Sequence, residues 1–347
     1  MSNKSYWAKR FMQLEEAQIN KGADYCAELE KQYKKAEKEI EKQIAVWYAR
    51  FASNNEISMS DAKKLLISNE LTELKWDVEE YIKAGRENNV DGRWIKELEN
   101  ASAKVHINRL ESLTLQIRQQ IETLYAGEND SFTETMKDIY EDSYYHTAFE
   151  LQRGTGKGFV LMQLDQNKID KVLLKPWTPD GSNFSSRIWK HRSKLVAELT
   201  NHLSQILIRG ITPDEAIKDI QKRFQVSTNQ AKALVMTELA FVHSTAKKDM
   251  FEEFGVERYQ IIATLDKRTS EICRKLDHKV IDIKDYRVGA TAPPFHTRCR
   301  TTTIPFYDDE FTDSETRAAR DPKTGKTYYV PANISYKEWY EKYVKQD

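Results

Sequence analysis

The sequence predicts a mostly α-helical fold, in which a long N-terminal helical array is followed by a smaller α+β C-terminal domain with a short-stranded sheet. Proline gives the first indication, because none of the eight prolines precedes Pro176 and proline breaks helices. Composition gives the second, because the proline-free part is rich in Glu, Lys, Ala, Leu and Gln, which favour helices. The third is a β-branched run around Ile261, which is typical of a buried strand.

Helices in the N-terminal half are predicted from apolar residues spaced three and four positions apart. These residues are Leu29, Tyr33, Ala36, Ile40, Ile44, Trp47 and Phe51 in the first stripe, and Leu110, Leu113, Ile117, Ile121 and Leu124 in a later one. Breaks are expected at 53–58, 84–93 and 126–134. Ser60 is a predicted N-cap after the first break, and Ser131 with Glu134 forms a capping box at the third. We expect the stripe residues to pack in a core.

The C-terminal half is expected to contain three helices before its strands. The first ends at Gly210, the second begins at Pro213 with Thr212 as its N-cap, and the third ends at Gly255. Further strand candidates lie at 278–283, 299–306 and 326–331. The expected divisions of the chain are an extended α-helical region at 1–153, a linker at 154–176, an α+β domain at 177–307 and a C-terminal tail at 308–347.

Bulk properties narrow the classes of function. The 54 basic side chains cancel the 54 acidic ones, which argues against a protein that coats nucleic acid by charge alone. No stretch approaches the roughly 18 apolar residues of a membrane helix, and no secretory signal is recognisable. Three cysteines do not make a disulfide framework. In the segment "LQRGTGKGF", Lys157 is followed by Gly158 rather than Ser or Thr, so it is interpreted as a flexible linker and not as a phosphate loop. We therefore expect a soluble intracellular protein.

Two short cysteine–histidine pairs are the most distinctive feature of the C-terminal half. Cys273 and His278 form C-x4-H, and His296 and Cys299 form H-x2-C after seventeen intervening residues. Thiolates and imidazoles in two such pairs can close a tetrahedral zinc site. Two alternatives remain open: Cys273 and Cys299 are a neighbouring pair, reduced or oxidised, or all four residues are simply packed, as buried cysteine often is. Zinc is the one cofactor that the sequence suggests.

Catalytic chemistry has two candidate sets in this region, which are Cys299 with His296, or Asp266 with Glu238 and His296. A cysteine and a histidine this close on a turn seldom face each other, and no oxyanion-hole motif is recognisable. The sequence therefore favours a protein that is not an enzyme.

Nucleic-acid binding is a further hypothesis. Arg298 and Arg300 define a basic edge that can meet phosphates. Lys267, Arg268 and Arg274 extend it, and the favoured alternative is a solvated surface balanced by Asp266, Glu271 and Asp277.

The segments "TLDKRTSEICRKLDHKVI" and "GATAPPFHTRCRTT" resemble the signature of the phage Mu F-like minor head proteins, a family of phage head morphogenesis proteins. The matching positions are Thr237, Glu238, Thr264, Asp266, Arg268, Cys273, Leu276, Asp277, Pro293, Pro294, His296, Cys299 and Arg300. The resemblance extends from Trp177 to Pro305. Ser270 and Thr301 stand where relatives often carry cysteine, and His278 stands where they commonly carry glycine.

The resemblance implies a minor virion component located inside the capsid and assembled in the host cytoplasm. Such a protein associates with the portal protein and acts in head assembly, DNA packaging or genome delivery. Scaffold protein, major capsid protein and phage DNA are further expected partners, and a membrane is not. The motif residues expected to matter are Glu238, Asp266, Arg268, His296 and Arg300. Two alternatives stay open, a DNA-binding protein that travels with the genome, and a nuclease or transferase that uses Glu238, Asp266 and His296.

Overall fold

A computed structural model describes residues 3–52, 109–155, 164–209, 213–307, 316–320 and 327–331, together with 338 and 342. In chain order the elements are α1 (Asn3–Ala52), α2 (Arg109–Thr155), α3 (Gln166–Leu174), α4 (Phe184–Arg209), α5 (Pro213–Glu253), β1 (Arg258–Ile262), α6 (Glu271–Leu276), β2 (Val280–Asp282), a 3-10 turn (Ile283–Asp285), β3 (Thr302–Phe306), β4 (Thr316–Arg320) and β5 (Thr327–Pro331). This order confirms the predicted class, mostly helical with a small sheet in the C-terminal region. Among the helices in these ranges, none has an apolar stretch long enough to cross a bilayer.

The chain forms two compact units, and each is built from separate segments. Unit 1 consists of Met1–Tyr25, Thr133–Phe184 and Ala233–Asp347, and unit 2 consists of Cys26–Phe132 and Ser185–Lys232. The unit boundaries therefore fall inside α1, α2 and α5 and after the first residue of α4. Among the described residues, unit 1 contains the five strands and the cysteine–histidine motif.

The predicted apolar stripes are buried wherever the structure describes their side chains. These residues are Leu29, Tyr33, Ala36, Ile40 and Ile44 in α1, and Leu113, Ile117, Ile121 and Leu124 in α2. The expected breaks at 53–58 and 84–93, the caps Ser60 and Thr212, and the side chains of Trp47, Phe51 and Leu110 lie outside the described residues.

The break predicted at 126–134 is wrong, because α2 runs through it without interruption. Ser131 caps nothing there, since its hydroxyl donates to the carbonyls of Gly127 at 2.7 Å and Glu128 at 3.3 Å inside the helix. Tyr125 and Phe132 are fully buried in this stretch. Their burial outweighs the roughly 0.5–1 kcal/mol that a glycine costs in the middle of a helix.

The second and third helices predicted in the C-terminal half are one helix, α5, which begins at Pro213 as predicted. Thr228 continues the helix by donating from its hydroxyl to the Phe224 carbonyl at 2.8 Å. After the last helical residue, Gly255 takes a φ of 77°. Its N–H donates to the Glu252 carbonyl, and the N–H of Val256 donates to the Phe251 carbonyl. This is a Schellman ending, and it explains why the helix stops where the sequence predicts.

The expected linker and tail both contain regular structure. α3 lies within the linker, and Asp165 caps it by accepting from the Asn167 N–H at 2.9 Å. Gly154 belongs to α2 rather than to a loop, and a Cβ at this position would overlap the Trp7 ring. β4 and β5 pair in antiparallel fashion within the predicted tail. β5 matches the strand predicted at 326–331, whereas α3 and β4 were not predicted.

The three-stranded sheet has the order β2-β1-β3, and both pairings are antiparallel. Tyr259 lies opposite Ile281 on one side and Pro305 on the other. β1 is central, and four of its five residues are buried. The strand predicted around Ile261 is therefore the middle of the sheet that supports the motif.

A buried charged cluster joins α1, α5 and β3 within unit 1. The Glu15 Oε2 atom lies 3.0 Å from His243 Nε2 and 3.3 Å from Lys247 Nζ. Lys247 also donates to the Thr302 hydroxyl, and His243 Nδ1 lies 2.7 Å from the Ser143 hydroxyl. Burial opposes ionisation of Glu15, but the charges of His243 and Lys247 outweigh it and lower its pKa to about 2. Burial also lowers the pKa values of His243 and Lys247, although the Glu15 carboxylate opposes this. We refer to Glu15, His243 and Lys247 as the buried charge cluster.

Candidate functional site

The cysteines and His296 are positioned by two short segments of unit 1. Cys273 lies on α6, where the Ser270 hydroxyl caps the helix by accepting from the Cys273 N–H at 3.2 Å. His296 and Cys299 lie on the loop that leads into β3, and the Cys299 N–H donates to the His296 carbonyl at 3.2 Å. The Pro293–Pro294 peptide bond that precedes this turn is cis.

Cys273, His296 and Cys299 converge on a single point. The Cys273 Sγ atom lies 3.2 Å from His296 Nε2 and 3.8 Å from Cys299 Sγ. All three potential ligand atoms lie within 4.8 Å of one another. The sulfur–sulfur separation is far longer than the roughly 2.05 Å of a disulfide bond, and both thiols are free. We refer to these three residues as the Cys–His cluster.

The protonation of the Cys–His cluster follows from its hydrogen bonds. His296 Nδ1 lies 2.9 Å from the Thr297 carbonyl oxygen, which can only accept, so Nδ1 carries a proton. The hydrogen bond between the two thiols lowers the pKa of Cys299 and raises the pKa of Cys273. The Cys299 sulfur in turn raises the pKa of His296. The cluster therefore favours a thiolate at Cys299.

The fourth predicted ligand, His278, is placed elsewhere by the backbone. It has a φ of 62°, a conformation that favours glycine. Its N–H donates to the Ile261 carbonyl at 2.8 Å, and its own carbonyl accepts from Gln260 Nε2 at 2.9 Å. Its ring lies 3.6 Å from an Asp277 carboxylate oxygen. The structure thus brings together three of the four predicted metal ligands, and His278 serves a turn beside β1.

Asp266 is held by Arg300 in a two-pronged ion pair. Arg300 Nη2 donates to Oδ1 at 2.8 Å, and Nη1 donates to Oδ2. The Arg268 backbone N–H also donates to Oδ1, at 2.8 Å. Burial opposes ionisation of Asp266, but the Arg300 guanidinium outweighs it and lowers the pKa of the carboxyl group. Thr264 completes the arrangement by donating to the Arg300 carbonyl at 2.6 Å. The Asp266 carboxylate has a lowered pKa and both of its oxygens accept hydrogen bonds. It is therefore better suited to supporting the structure than to acting as a general base.

The motif's Thr237–Glu238 pair connects α5 to two other segments of unit 1. The Thr237 hydroxyl accepts from the Arg298 backbone N–H at 3.0 Å. Glu238 is buried and accepts from the Trp177 indole N–H at 2.8 Å. The indole ring stacks on Phe241, with 5.0 Å between the ring centroids. Sequence reasoning treated Glu238 as a catalytic candidate and missed the supporting role of Thr237 and Trp177.

A cavity of about 490 Å³ lies beside the Cys–His cluster. Cys273 and His296 form part of its wall, and the remaining wall includes Arg268, Arg298 and Arg300 together with several hydroxyl side chains. The predicted basic edge therefore lines a concave site rather than a flat surface. A water molecule or a small anion next to the cluster would meet positive charge there.

Comparison with known proteins adds two findings. Residues 197–304 match the family model described as Phage Mu protein F like protein, which confirms the resemblance in the motif. The chain is also 23% identical over 272 residues to the NAD(+)--arginine ADP-ribosyltransferase EFV of Enterococcus faecalis, and the alignment covers 70% of this chain and 54% of that protein. The chain thus spans about half the length of this curated relative. No solved structure matches the chain.

Proposed function

We propose that this chain, whose residues 197–304 match the phage Mu F-like family, is a minor structural protein of a bacteriophage head. In this role it binds the portal protein inside the procapsid and acts in head assembly, DNA packaging or genome delivery. The family match is the observation that carries the proposal, because it covers the Cys–His cluster and most of its supporting contacts.

The contacts of the motif residues support a structural role. Asp266 is bound to Arg300, Thr237 is bound to the Arg298 backbone, and Glu238 is bound to Trp177. Each of these contacts joins separate segments of unit 1, as expected of residues that support the fold. The long α1, α2 and α5 helices are also of the kind that dock against other helical subunits.

The test is incorporation into heads. The full chain is co-expressed with portal, scaffold and major capsid proteins, and procapsids are purified and assayed for the chain. We expect it to co-purify with procapsids that contain portal and to be lost when portal is omitted. Asp266→Asn should lower incorporation, whereas Lys275→Ala, which removes an exposed ion pair with Glu271, should not. Equal incorporation with and without portal would contradict portal binding.

DNA binding is a second candidate, favoured by the arginines that line the cavity. Arg298→Ala is its sharpest test, because the backbone N–H that binds Thr237 is retained. Weaker, salt-dependent retention of DNA by this variant than by Lys275→Ala would support the candidate. Identical retention of DNA by both variants would remove it.

Enzymatic transfer has one observation in its favour, the similarity to a protein named as an ADP-ribosyltransferase. We propose that the chain is not an enzyme, because Asp266 and Glu238 are engaged in structural contacts. Incubation of the full chain with labelled NAD+ and an arginine-containing acceptor tests this. Label transfer that is abolished by His296→Ala would overturn the proposal, and so would nuclease activity with the same dependence.

A further inference from the structure

We propose that the Cys–His cluster binds one Zn²⁺ ion through Cys273, His296 and Cys299, and that the fourth coordination position faces the adjacent cavity. This inference concerns a metal centre and stands independently of the proposed role in the phage head.

The spacing of the ligand atoms carries the first step. A tetrahedral zinc ion with bonds of about 2.3 Å to sulfur holds its two sulfurs about 3.8 Å apart. The Cys273 and Cys299 sulfurs are 3.8 Å apart. With a zinc–nitrogen bond of about 2.0–2.1 Å, the same geometry places sulfur and nitrogen about 3.5 Å apart. The observed distance from Cys273 Sγ to His296 Nε2 is 3.2 Å, so the pair must open by only about 0.3 Å.

The orientation of His296 carries the second step. Its Nδ1 donates to the Thr297 carbonyl, which leaves the Nε2 lone pair directed toward the sulfurs. Metal-binding histidines usually donate their other ring nitrogen to a carbonyl or carboxylate in this way, because the bond fixes the tautomer and the ring plane.

The surroundings hold the ligands in place. Cys273 and Cys299 are buried with Ala263, and Phe295 packs against them. Ser270 fixes the turn that carries Cys273, and Thr237 fixes the backbone beside Cys299 through Arg298. An apolar, water-poor wall on one side strengthens the bonds between thiolates and a cation.

The number of protein ligands and the position of the cavity both indicate that the fourth coordination position is open. Three protein ligands with an open fourth position is the arrangement that zinc adopts in Cys2His sites that bind an exchangeable ligand. His278 is held in its turn beside β1 and Asp266 is held by Arg300. Cys273 and His296 line the cavity together with three arginines. Water or a small anion therefore completes the coordination.

Metal analysis of the purified full chain is the test. The protein is produced in medium with zinc, dialysed against metal-free buffer and analysed by mass spectrometry of metals. We expect one zinc per chain, which is lost in Cys299→Ser and His296→Ala. Two matched controls should keep the metal, Cys26→Ser, which removes the third cysteine, and His278→Gly, which suits the positive φ at that residue.

Cobalt substitution tests the coordination itself. The cobalt form should show thiolate-to-metal charge-transfer absorption and the intense visible bands of a four-coordinate ion. Added azide should shift the visible bands, because it replaces water at the exchangeable position. Unshifted bands would refute the open position.

Three outcomes would overturn the zinc site. A chain without metal whose mass is lower by two hydrogens would identify a disulfide, and a chain with neither metal nor disulfide would identify packed thiols. Loss of zinc in His278→Gly would show that a different ligand set is used. If Cys299→Ser fails to fold, the wild-type chain provides the test. A chelator must then remove the zinc reversibly. Removal must also make Cys273 and Cys299 react faster with an alkylating agent than they do in the zinc form.

Discussion

Replacement of Glu15 by glutamine should be among the most destabilising single changes in unit 1, although it preserves side-chain volume. The pKa of about 2 means that Glu15 is fully ionised at pH 7, between His243 and Lys247. Glutamine removes the charge and leaves the Lys247 ammonium group buried without a counter-charge.

The magnitude follows from the burial of both partners. Lys247 is 0% exposed and Glu15 is 5% exposed, so water cannot replace the lost charge. Removing one partner of a buried ion pair costs about 3–5 kcal/mol, because the remaining charge stays desolvated. Replacing both partners by uncharged residues of similar size is often nearly neutral. Glu15→Gln combined with Lys247→Met should therefore recover most of the loss.

Urea unfolding of the full chain measures these differences, followed by circular dichroism at pH 7. The four proteins of the cycle are the wild type, Glu15→Gln, Lys247→Met and the double variant. Glu271→Gln is the control, since it breaks an exposed ion pair with Lys275 and should leave the midpoint unchanged.

Two results would refute the reasoning. If Glu15→Gln shifts the midpoint no more than Glu271→Gln does, then the cluster does not carry buried charge. If the losses of the two single variants add fully in the double variant, then Glu15 and Lys247 are not coupled.

The remaining predictions concern both units. Gly127→Ala should stabilise the protein by about 0.5–1 kcal/mol, because a Cβ there meets open space and alanine favours the helix. Gly22→Ala should destabilise it, since a Cβ would overlap the Leu239 side chain. Glu128→Gln should raise stability at pH 8 by up to about 3 kcal/mol and change little at pH 4.5, because burial raises the pKa of Glu128 to about 7 and ionisation costs the folded state as pH rises from about 4.5. Asp266→Asn should cost about 1–3 kcal/mol, because it weakens the charged hydrogen bonds from Arg300.

Thermal and urea unfolding check all four variants, and each has an opposing result. Equal effects of the two alanine variants would show that helix propensity outweighs packing at Gly22. An effect of Glu128→Gln that is the same at pH 4.5 and pH 8 would show that the carboxyl group does not titrate in the window between its ordinary pKa and about 7. If Asp266→Asn is as stable as the wild type, then the ion pair between Asp266 and Arg300 does not stabilise the fold.

The sequence predicted the parts of the fold that depend on periodicity. Leu29, Tyr33 and Ile121 are buried because their spacing matches a helix face. The failures occurred where local turn signals compete with packing. Gly127 and Ser131 indicate a break, but the burial of Phe132 keeps α2 continuous. A local sequence pattern shows that a glycine is present, but it does not show how much stability the burial of a neighbouring aromatic ring provides.

The site was predictable to a similar degree. The spacing of two short cysteine–histidine pairs placed Cys273, His296 and Cys299 in one candidate set of zinc ligands, and the structure brings these three together. The same spacing included His278, which the positive φ of its own backbone directs away. The Asp266–Arg300 pair could not be derived, because the partners are 34 positions apart and meet only through tertiary structure.

The division of the chain has a consequence for its synthesis. Residues 1–25 belong to the same compact unit as 133–184 and 233–347, with 26–132 and 185–232 forming the other. As the ribosome produces the chain from its N-terminus, the start of α1 has no complete partner surface until the last third has emerged. Glu15 therefore lacks its two partners in the buried charge cluster until His243 and Lys247 have been translated. A nascent chain arrested before residue 233 should accordingly contain an exposed apolar start of α1, which makes it a substrate for chaperones.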